Sequence, residues 1–214
     1  MTRPPLRTRI KICGITSVEA ARAAVEAGAD AIGLVLATGS PRSIDHRLAE
    51  RIADSLPPFI TAVRVFRDAA EEEVRAWPGR WLQFHGQEDE ASLQGIRDAG
   101  ARRYILRGFH FSTDAVRRWA ACRLVDTLLI DGPRAGSGEP FDHAELAAMM
   151  PQITKPVILA GGLTPENVAR AIGIVRPWAV DASSGVESSP GVKDPALIEA
   201  FCRAVRRADA SPAG

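Results

Sequence analysis

A thiol and a carboxylic acid each close an apolar segment of this sequence, more than one hundred residues apart. Cys13 ends Arg9 to Cys13, Asp131 ends Thr127 to Asp131, and each is followed directly by glycine. A thiolate can accept a proton, and a buried carboxyl group that stays protonated can donate one. If the two segments are neighbouring barrel strands, the groups face each other across one pocket and can act as general base and general acid.

Each of these side chains also has a plainer interpretation. Cys13 taken alone is an inert, small buried residue, but Lys11 lies two residues earlier on the same strand face. A nearby ammonium favours the thiolate. Asp131 must meet a cation or stay protonated if it is buried, and otherwise it caps the following turn.

Two glycine-rich turns late in the chain predict a phosphate site. Gly161 and Gly162 precede a helix that opens at Thr164 and Pro165. The second turn contains Ser183, Ser184 and Gly185. Glycines let backbone amides approach an anion, and barrels often place a phosphate after strands seven and eight.

Three further polar residues are candidates for substrate contact. His85 and Asp181 stand where strands should end, and Arg42 lies in the loop after the second strand. Arginine suits bidentate capture of a carboxylate, although an exposed surface arginine and a structural histidine are the alternatives. The remaining histidines show no metal-ligand spacing with His85, so their positions predict no metal site.

Short β-branched runs alternate with amphipathic stretches along the chain, the pattern of repeated βα units. The predicted strands are Arg9 to Cys13, Ala31 to Leu36, Ile60 to Val65, Trp81 to Phe84, Arg103 to Leu106, Thr127 to Asp131, Pro156 to Leu159 and Trp178 to Val180. Predicted helices include Val18 to Ala27, Asp142 to Met149, Pro165 to Ile172 and Pro195 to Arg207. Eight units in this length predict an α/β fold, a single (β/α)8 TIM barrel with eight parallel strands. A doubly wound open sheet is the alternative.

Length and composition limit the possible partners. The 214 residues suit one domain, which we place at residues 9–207 between flexible tails at 1–8 and 208–214. The formal net charge of +1 favours neither nucleic acid nor an anionic membrane, so a small molecule is the expected partner. Three widely spaced cysteines and no apolar leader predict a cytoplasmic protein.

Taken together, the motifs resemble the phosphoribosylanthranilate isomerase family of tryptophan biosynthesis, from about Arg9 to Arg207. The matching strings are KICGIT at 11–16, SPR at 40–42, QFHG at 83–86, Asp131, GSG followed by FD at 136–142, LAGGLTPENV at 159–168 and VDASSGVESSPGVKD at 180–194. Cys13 separates this family from the similar isomerase of histidine biosynthesis, which carries aspartate there.

The resemblance implies an aldose-ketose isomerase of the (β/α)8 fold that catalyses an Amadori rearrangement without cofactor or metal. N-(5-phosphoribosyl)anthranilate would become 1-(o-carboxyphenylamino)-1-deoxyribulose 5-phosphate. Asp131 would act as general acid, Cys13 as general base, Arg42 would bind the anthranilate carboxylate and Asp181 the sugar hydroxyls. The two glycine-rich turns would bind the phosphate.

Two departures from the family pattern keep other functions open. Leu36 to Gly39 replaces the usual aromatic residues before SPR, and Arg64 stands in the third strand as either an outward ion-pair partner or a second anion contact. We count His85, Lys11 and Arg64 as candidate substrate-binding residues. The alternatives are a paralogue for another N-linked ribosyl phosphate, a non-catalytic phosphate-binding barrel or a metal-dependent phosphosugar epimerase. The chain is expected to be a monomer or a homodimer.

Overall fold

Eight parallel strands close into a barrel in the order of the sequence. The computed structural model describes residues 7–98, 103–132 and 142–210. The strands are β1 (Arg9–Cys13), β2 (Ala31–Val35), β3 (Thr61–Phe66), β4 (Trp81–Phe84), β5 (Tyr104–His110), β6 (Thr127–Asp131), β7 (Val157–Leu159) and β8 (Ala179–Ala182). The predicted barrel is therefore confirmed, and the open-sheet alternative is wrong.

In the described ranges, eight α-helices surround the barrel and alternate with its strands. They are α1 (Val18–Ala27), α2 (His46–Asp54), α3 (Glu71–Ala76), α4 (Glu90–Asp98), α5 (Thr113–Ala121), α6 (His143–Met149), α7 (Val168–Val175) and α8 (Pro195–Ala210). Helix α1 shows why the sequence sets these bounds. The Ser17 side chain accepts a hydrogen bond from the Ala20 amide at its start, and Gly28 ends it in the left-handed conformation that glycine adopts without strain.

The strands place alternate side chains inside and outside the barrel. Val63, Leu106, Leu129, Ile158 and Ala179 form an apolar cluster inside the barrel. The larger core lies between the strands and the helices, where residues such as Ile12, Phe84 and Phe201 are completely or almost completely buried. This alternation directs four polar side chains into the barrel, those of Lys11, Cys13, Asp131 and Asp181. It directs the Arg64 side chain outward.

Several elements differ from the predicted ones. Strand β5 runs on to His110, four residues past its predicted end. Helix α7 begins at Val168 and not at Pro165 because Asn167 folds the preceding segment into a loop, donating to the Gly162 carbonyl and accepting from the Thr164 amide. A short antiparallel hairpin, β9 (Glu187–Ser189) with β10 (Val192–Lys193), follows β8 and was not predicted.

The residue before β1 is tied to the last helix. Thr8, placed in the N-terminal tail by sequence, is buried and donates from both its amide and its hydroxyl to the Asp209 carboxylate. Asp209 belongs to α8, which continues to Ala210 and not only to Arg207. The tails at residues 1–6 and 211–214 lie outside the described residues and stay a prediction. Within the described part of the chain, none of the helices combines the length and apolarity that a membrane crossing requires.

A buried ion pair organises the loops after β3 and β4. Glu88 accepts hydrogen bonds from the amides of Asp68 and Gly86 at 2.8 Å each and lies 3.4 Å from Arg107. Arg107 donates to the Phe84 and Gly86 carbonyls. Both charged side chains are only 6% exposed, so each depends on the other for its counter-charge.

Replacing Glu88 should therefore destabilise the protein strongly. Glu88→Ala leaves the Arg107 guanidinium buried without its carboxylate and two amides without an acceptor, which should lower the free energy of unfolding by about 3 to 5 kcal/mol. Urea unfolding measures the change. Glu90→Ala, which removes an exposed partner of Arg118, is the control and should have a much smaller effect. Equal losses in the two variants would contradict this role of Glu88.

Candidate active site

A cavity of about 590 Å³ opens at the carboxyl ends of the strands. Its lining includes most of the candidate site residues selected from sequence: Cys13, Arg42, His85, Asp131, Gly161, Gly162, Asp181, Ser183, Ser184 and Gly185. Cys13 on β1 and Asp131 on β6 do not meet the condition of neighbouring strands, since β8 and β7 lie between them. They nevertheless face one cavity because a barrel brings all its strand ends together.

Cys13 sits at the floor of the cavity beside a buried ion pair. Lys11 Nζ donates to both carboxylate oxygens of Asp181 at 2.9 and 3.0 Å. Gly33 on the adjacent strand leaves the thiol its space, because a Cβ there would lie 2.6 Å from Sγ. Burial raises the pKa of Cys13, and the charge of Lys11 opposes that rise only in part.

The balance between burial and charge corrects the expectation for the Cys13 thiol. We predicted that Lys11 would favour the thiolate, and its charge does act in that direction, but burial outweighs it. Burial is the largest influence on the Lys11 ammonium and disfavours it, yet Asp181 and Cys13 together more than compensate, so that the pKa of Lys11 lies above its ordinary value. Lys11 therefore stays charged beneath the thiol.

Asp131 lies on the opposite side of the cavity and contacts a histidine. Its Oδ2 is 3.4 Å from His85 Nε2, and the two side chains are 28% and 27% exposed. The other ring nitrogen of His85, Nδ1, lies 3.3 Å from the side-chain amide nitrogen of the buried Gln83. With Gln83 as donor to Nδ1, His85 carries its proton on Nε2 and presents it to Asp131.

The two phosphate-loop candidates form one wall of the cavity. Gly161 and Gly162 both have positive φ, at 90° and 62°. A side chain on Gly161 would collide with the Gly132 amide, and one on Gly185 would collide with the Leu163 carbonyl. Gly185 thus packs on the chain directly after Gly162, and Gly161 packs on the backbone that follows β6. Bare backbone of this kind lets amides approach an anion.

Arg42 reaches the cavity from the loop after β2, but its charge is already paired. Its Nε and Nη2 each donate to Glu187 at 2.8 Å. Lys193 Nζ donates to the same carboxylate at 2.6 Å and to the Ser183 carbonyl at 3.0 Å. Glu187 therefore lies between the two cations.

Two predicted substrate-binding residues do not line the cavity. Lys11 is enclosed in the barrel one layer below the strand ends, where it binds Asp181 and is 3% exposed. Arg64 points outward, with its guanidinium carbon 5.8 Å from the ring centre of Trp77 and its terminal nitrogen against Gly79. The side chain of Arg64 therefore points outward as one of the two alternatives had it, because Val63 and Val65 take the inward positions of β3. Its contact among the described residues is with the Trp77 ring, however, and not the ion pair that this alternative expected.

Four residues of the site region received no role from sequence. His110 and Gln83 line the cavity, and His110 was missed because β5 was predicted to end four residues earlier. Glu187 and Lys193 form the cluster behind Arg42. Lys193 is one of only three lysines in the chain, a signal that could have drawn attention to it.

The site shows no arrangement suited to a metal in the part of the chain that is described, where no group of three or more potential ligands occurs. The GSG and FD strings assigned to the family motif begin at residue 136, and residues 133–141 lie outside the described residues.

Comparison with known proteins identifies the family. Residues 10–204 match the family model described as N-(5'-phosphoribosyl)anthranilate (PRA) isomerase. The chain belongs to this family. Its sequence is 47% identical over 216 residues to the N-(5'-phosphoribosyl)anthranilate isomerase of Pseudomonas fluorescens, covering 95% of this chain and 98% of that protein. Membership makes it an isomerase of tryptophan biosynthesis, as the motifs predicted.

Solved structures of the family agree with the fold. One is a phosphoribosyl anthranilate isomerase in complex with reduced 1-(o-carboxyphenylamino)-1-deoxyribulose 5-phosphate, with a TM-score of 0.80, 35% identity and coverage of 94% of this chain and 99% of that chain. Another is the structure of monomers generated from the dimeric phosphoribosylanthranilate isomerase of Thermotoga maritima. It has a TM-score of 0.79, 33% identity and the same coverage.

The charges of Lys11 and Asp181 beside Cys13 should shift the pH dependence of Cys13 alkylation in opposite directions. Lys11→Met removes a cation that stabilises the thiolate, so alkylation of Cys13 by iodoacetamide should begin at higher pH than in the wild type. Asp181→Asn removes an anion that opposes the thiolate and should move the profile to lower pH. Peptide mass spectrometry reads Cys13 separately from the other cysteines. Lys155→Met, a lysine that contacts Trp119 and Cys122, should leave the profile unchanged, and shifts of the same sign in both test variants would contradict this electrostatic account.

Proposed function

We propose that this isomerase carries out its rearrangement with Cys13 as general base and Asp131 as general acid. The observation that supports this proposal is that both side chains line one cavity, Cys13 from β1 and Asp131 from β6. The glycine-rich turns line the same cavity. A single phosphoribosyl substrate held by its phosphate would then meet both groups. Proton transfer by positioned groups of this kind is the standard means of speeding such a step.

In this proposal two proton transfers, one from Asp131 and one to Cys13, precede a tautomerisation. Asp131 donates a proton to the ribose ring oxygen, the bond from that oxygen to C1' breaks, and the nitrogen lone pair forms a C1'–N double bond. Cys13 then removes the proton from C2' in its thiolate form, which the Lys11 charge favours and burial opposes, and the C2'–H electrons form a C1'–C2' double bond as the iminium electrons return to nitrogen. Tautomerisation of the resulting enolamine gives the amino ketone product.

The ends of the substrate are assigned to opposite parts of the cavity. Gly161, Gly162 and the Ser183–Gly185 turn bind the phosphate through backbone amides, and Arg42 binds the carboxylate of the anthranilate ring. Asp181 contacts sugar hydroxyls from the floor. His85 assists Asp131, because its Nε2 is placed to hold one carboxylate oxygen while the other faces the substrate.

The alternative functions lose their support. A different ribosyl phosphate was suggested partly by Arg64, which faces away from the cavity. A non-catalytic barrel would not need Cys13 and Asp131 on one cavity, and a metal-dependent epimerase would need ligands that the described residues do not group together.

Assembly and location complete the proposal. We infer a monomer or a homodimer, since the related Thermotoga maritima enzyme is described as dimeric. Light scattering should return a mass of one or two chains, and a larger mass would contradict it. A cytoplasmic location fits the three free cysteines.

The assigned roles predict severe and separable losses. Cys13→Ala and Asp131→Asn should each lower kcat by roughly 10²- to 10⁴-fold, while the affinity for the reduced product analogue changes little because the phosphate turns and Arg42 are intact. Steady-state kinetics and calorimetry measure the two effects. Cys122→Ala and Asp114→Asn, both outside the cavity, are the matched controls and should retain wild-type rates. A kcat close to wild type in either test variant would refute that residue's role.

A further inference from the structure

A three-residue charge cluster lies behind the wall of the cavity. Among the described residues that line the cavity, Arg42 is present but Glu187 and Lys193 are not. The side chains of Glu187 and Lys193 are 4% and 0% exposed, against 23% for Arg42. Glu187 receives Arg42 on both of its oxygens and Lys193 on one. A carboxylate so fully enclosed between two cations is a built feature and not a surface pair.

Glu187 fixes which edge of Arg42 is free. The guanidinium is a rigid plane with five N–H donors, and Glu187 engages Nε and Nη2. The edge that suits bidentate capture of a carboxylate from the side is therefore occupied. Both N–H groups of Nη1 and the second N–H of Nη2 remain, and this end of the plane is the part that Arg42 can offer to a ligand.

The backbone around Arg42 enforces the same orientation. A side chain on Gly14 would lie 2.5 Å from Arg42 Cδ, so the arginine stem crosses directly over that glycine. A side chain on Gly191, in the β9–β10 turn, would lie 2.3 Å from the Pro41 carbonyl. Thr16 also donates to the Gly191 carbonyl at 3.0 Å. The hairpin thus holds both the arginine head, through Glu187, and the loop that carries it.

Lys193 gives the cluster its net charge and its connection to the phosphate turns. With one carboxylate and two cations the cluster keeps one positive charge, so Arg42 can attract an anion although it is already paired. Lys193 also donates to the Ser183 carbonyl at 3.0 Å, in the turn assigned to the substrate phosphate.

We propose that Glu187 is a positioning residue for Arg42, and that with Lys193 it forms a strut between the carboxylate end and the phosphate end of the cavity. Glu187 turns the Nη1 edge of Arg42 toward the substrate carboxylate and remains bound to Arg42 when the substrate enters. The proposal rests on the assigned role of Arg42. The competing possibility is that Glu187 occupies the carboxylate position itself and is displaced by the substrate.

The test compares two ligands that differ only in the ring carboxylate. The first is the reduced product analogue, and the second is its phenylamino counterpart without the carboxyl group. In the wild type the carboxylate should improve the dissociation constant by about 10- to 100-fold, as expected for charge-assisted hydrogen bonds. Arg42→Met should abolish this preference.

Glu187→Gln should lower the preference by about 10-fold, because the guanidinium loses its anchor, while binding of the phenylamino ligand stays close to wild type. In kinetics the variant should raise KM more than it lowers kcat. Glu199→Gln, an exposed glutamate on α8 that pairs with Arg203, is the control and should behave like the wild type. If Glu187→Gln does not fold, Glu187→Gln with Lys193→Met removes the anchor without leaving a buried ammonium unpaired and is judged by the same ratio.

The outcomes separate the two proposals. An unchanged preference in the Glu187 variant, with Arg42→Met still losing it, would overturn the positioning role and leave the function standing. An increased preference would show that Glu187 competes with the substrate, and would overturn it too. No preference in the wild type would instead refute the carboxylate role of Arg42 and with it this inference.

Discussion

Closure of the barrel between its first and last strands is the constraint on which the site depends. In that ladder Lys11 is the direct partner of Asp181, and the two side chains meet inside the barrel as a buried ion pair. The pair places a fixed ammonium and a fixed carboxylate immediately below Cys13. The same register sets Asp181 at the cavity floor. The seam that completes the fold thus also sets the electrostatic surroundings of the thiol.

The cavity combines a preorganised floor with walls that, in our proposal, bind the two ends of an elongated ligand. Bare glycine backbone forms the proposed phosphate wall, where the backbone after β6, β7 and β8 approaches too closely for side chains at Gly161 and Gly185. A second part of the wall carries Arg42, which is held by Glu187. Because the hairpin after β8 reaches both walls, the distance between the two binding regions is set by one rigid segment. Such preorganisation suits a reaction that must bring one carbon between an acid and a base.

The sequence was sufficient to predict the fold and most of the cavity, since strand ends of a parallel barrel converge and Cys13, Asp131 and the glycine turns mark those ends. It could not decide which way Arg64 points, because parallel barrel strands are apolar on both faces and alternation alone does not identify the inner one. The depth of Lys11 depends on its register with β8 and not on local spacing. The Glu187 cluster joins residues 145 positions apart, a contact that no local pattern contains.

The most direct test of this account is a crystal structure of the protein with the reduced product analogue. We expect the phosphate on the Gly161–Gly162 and Ser183–Gly185 turns, with Cys13 Sγ at roughly 3 to 3.5 Å from C2', the contact distance of a reacting pair, and Asp131 facing the oxygen released by ring opening. A ligand bound with C2' directed away from Cys13, or seated outside the cavity, would contradict the account.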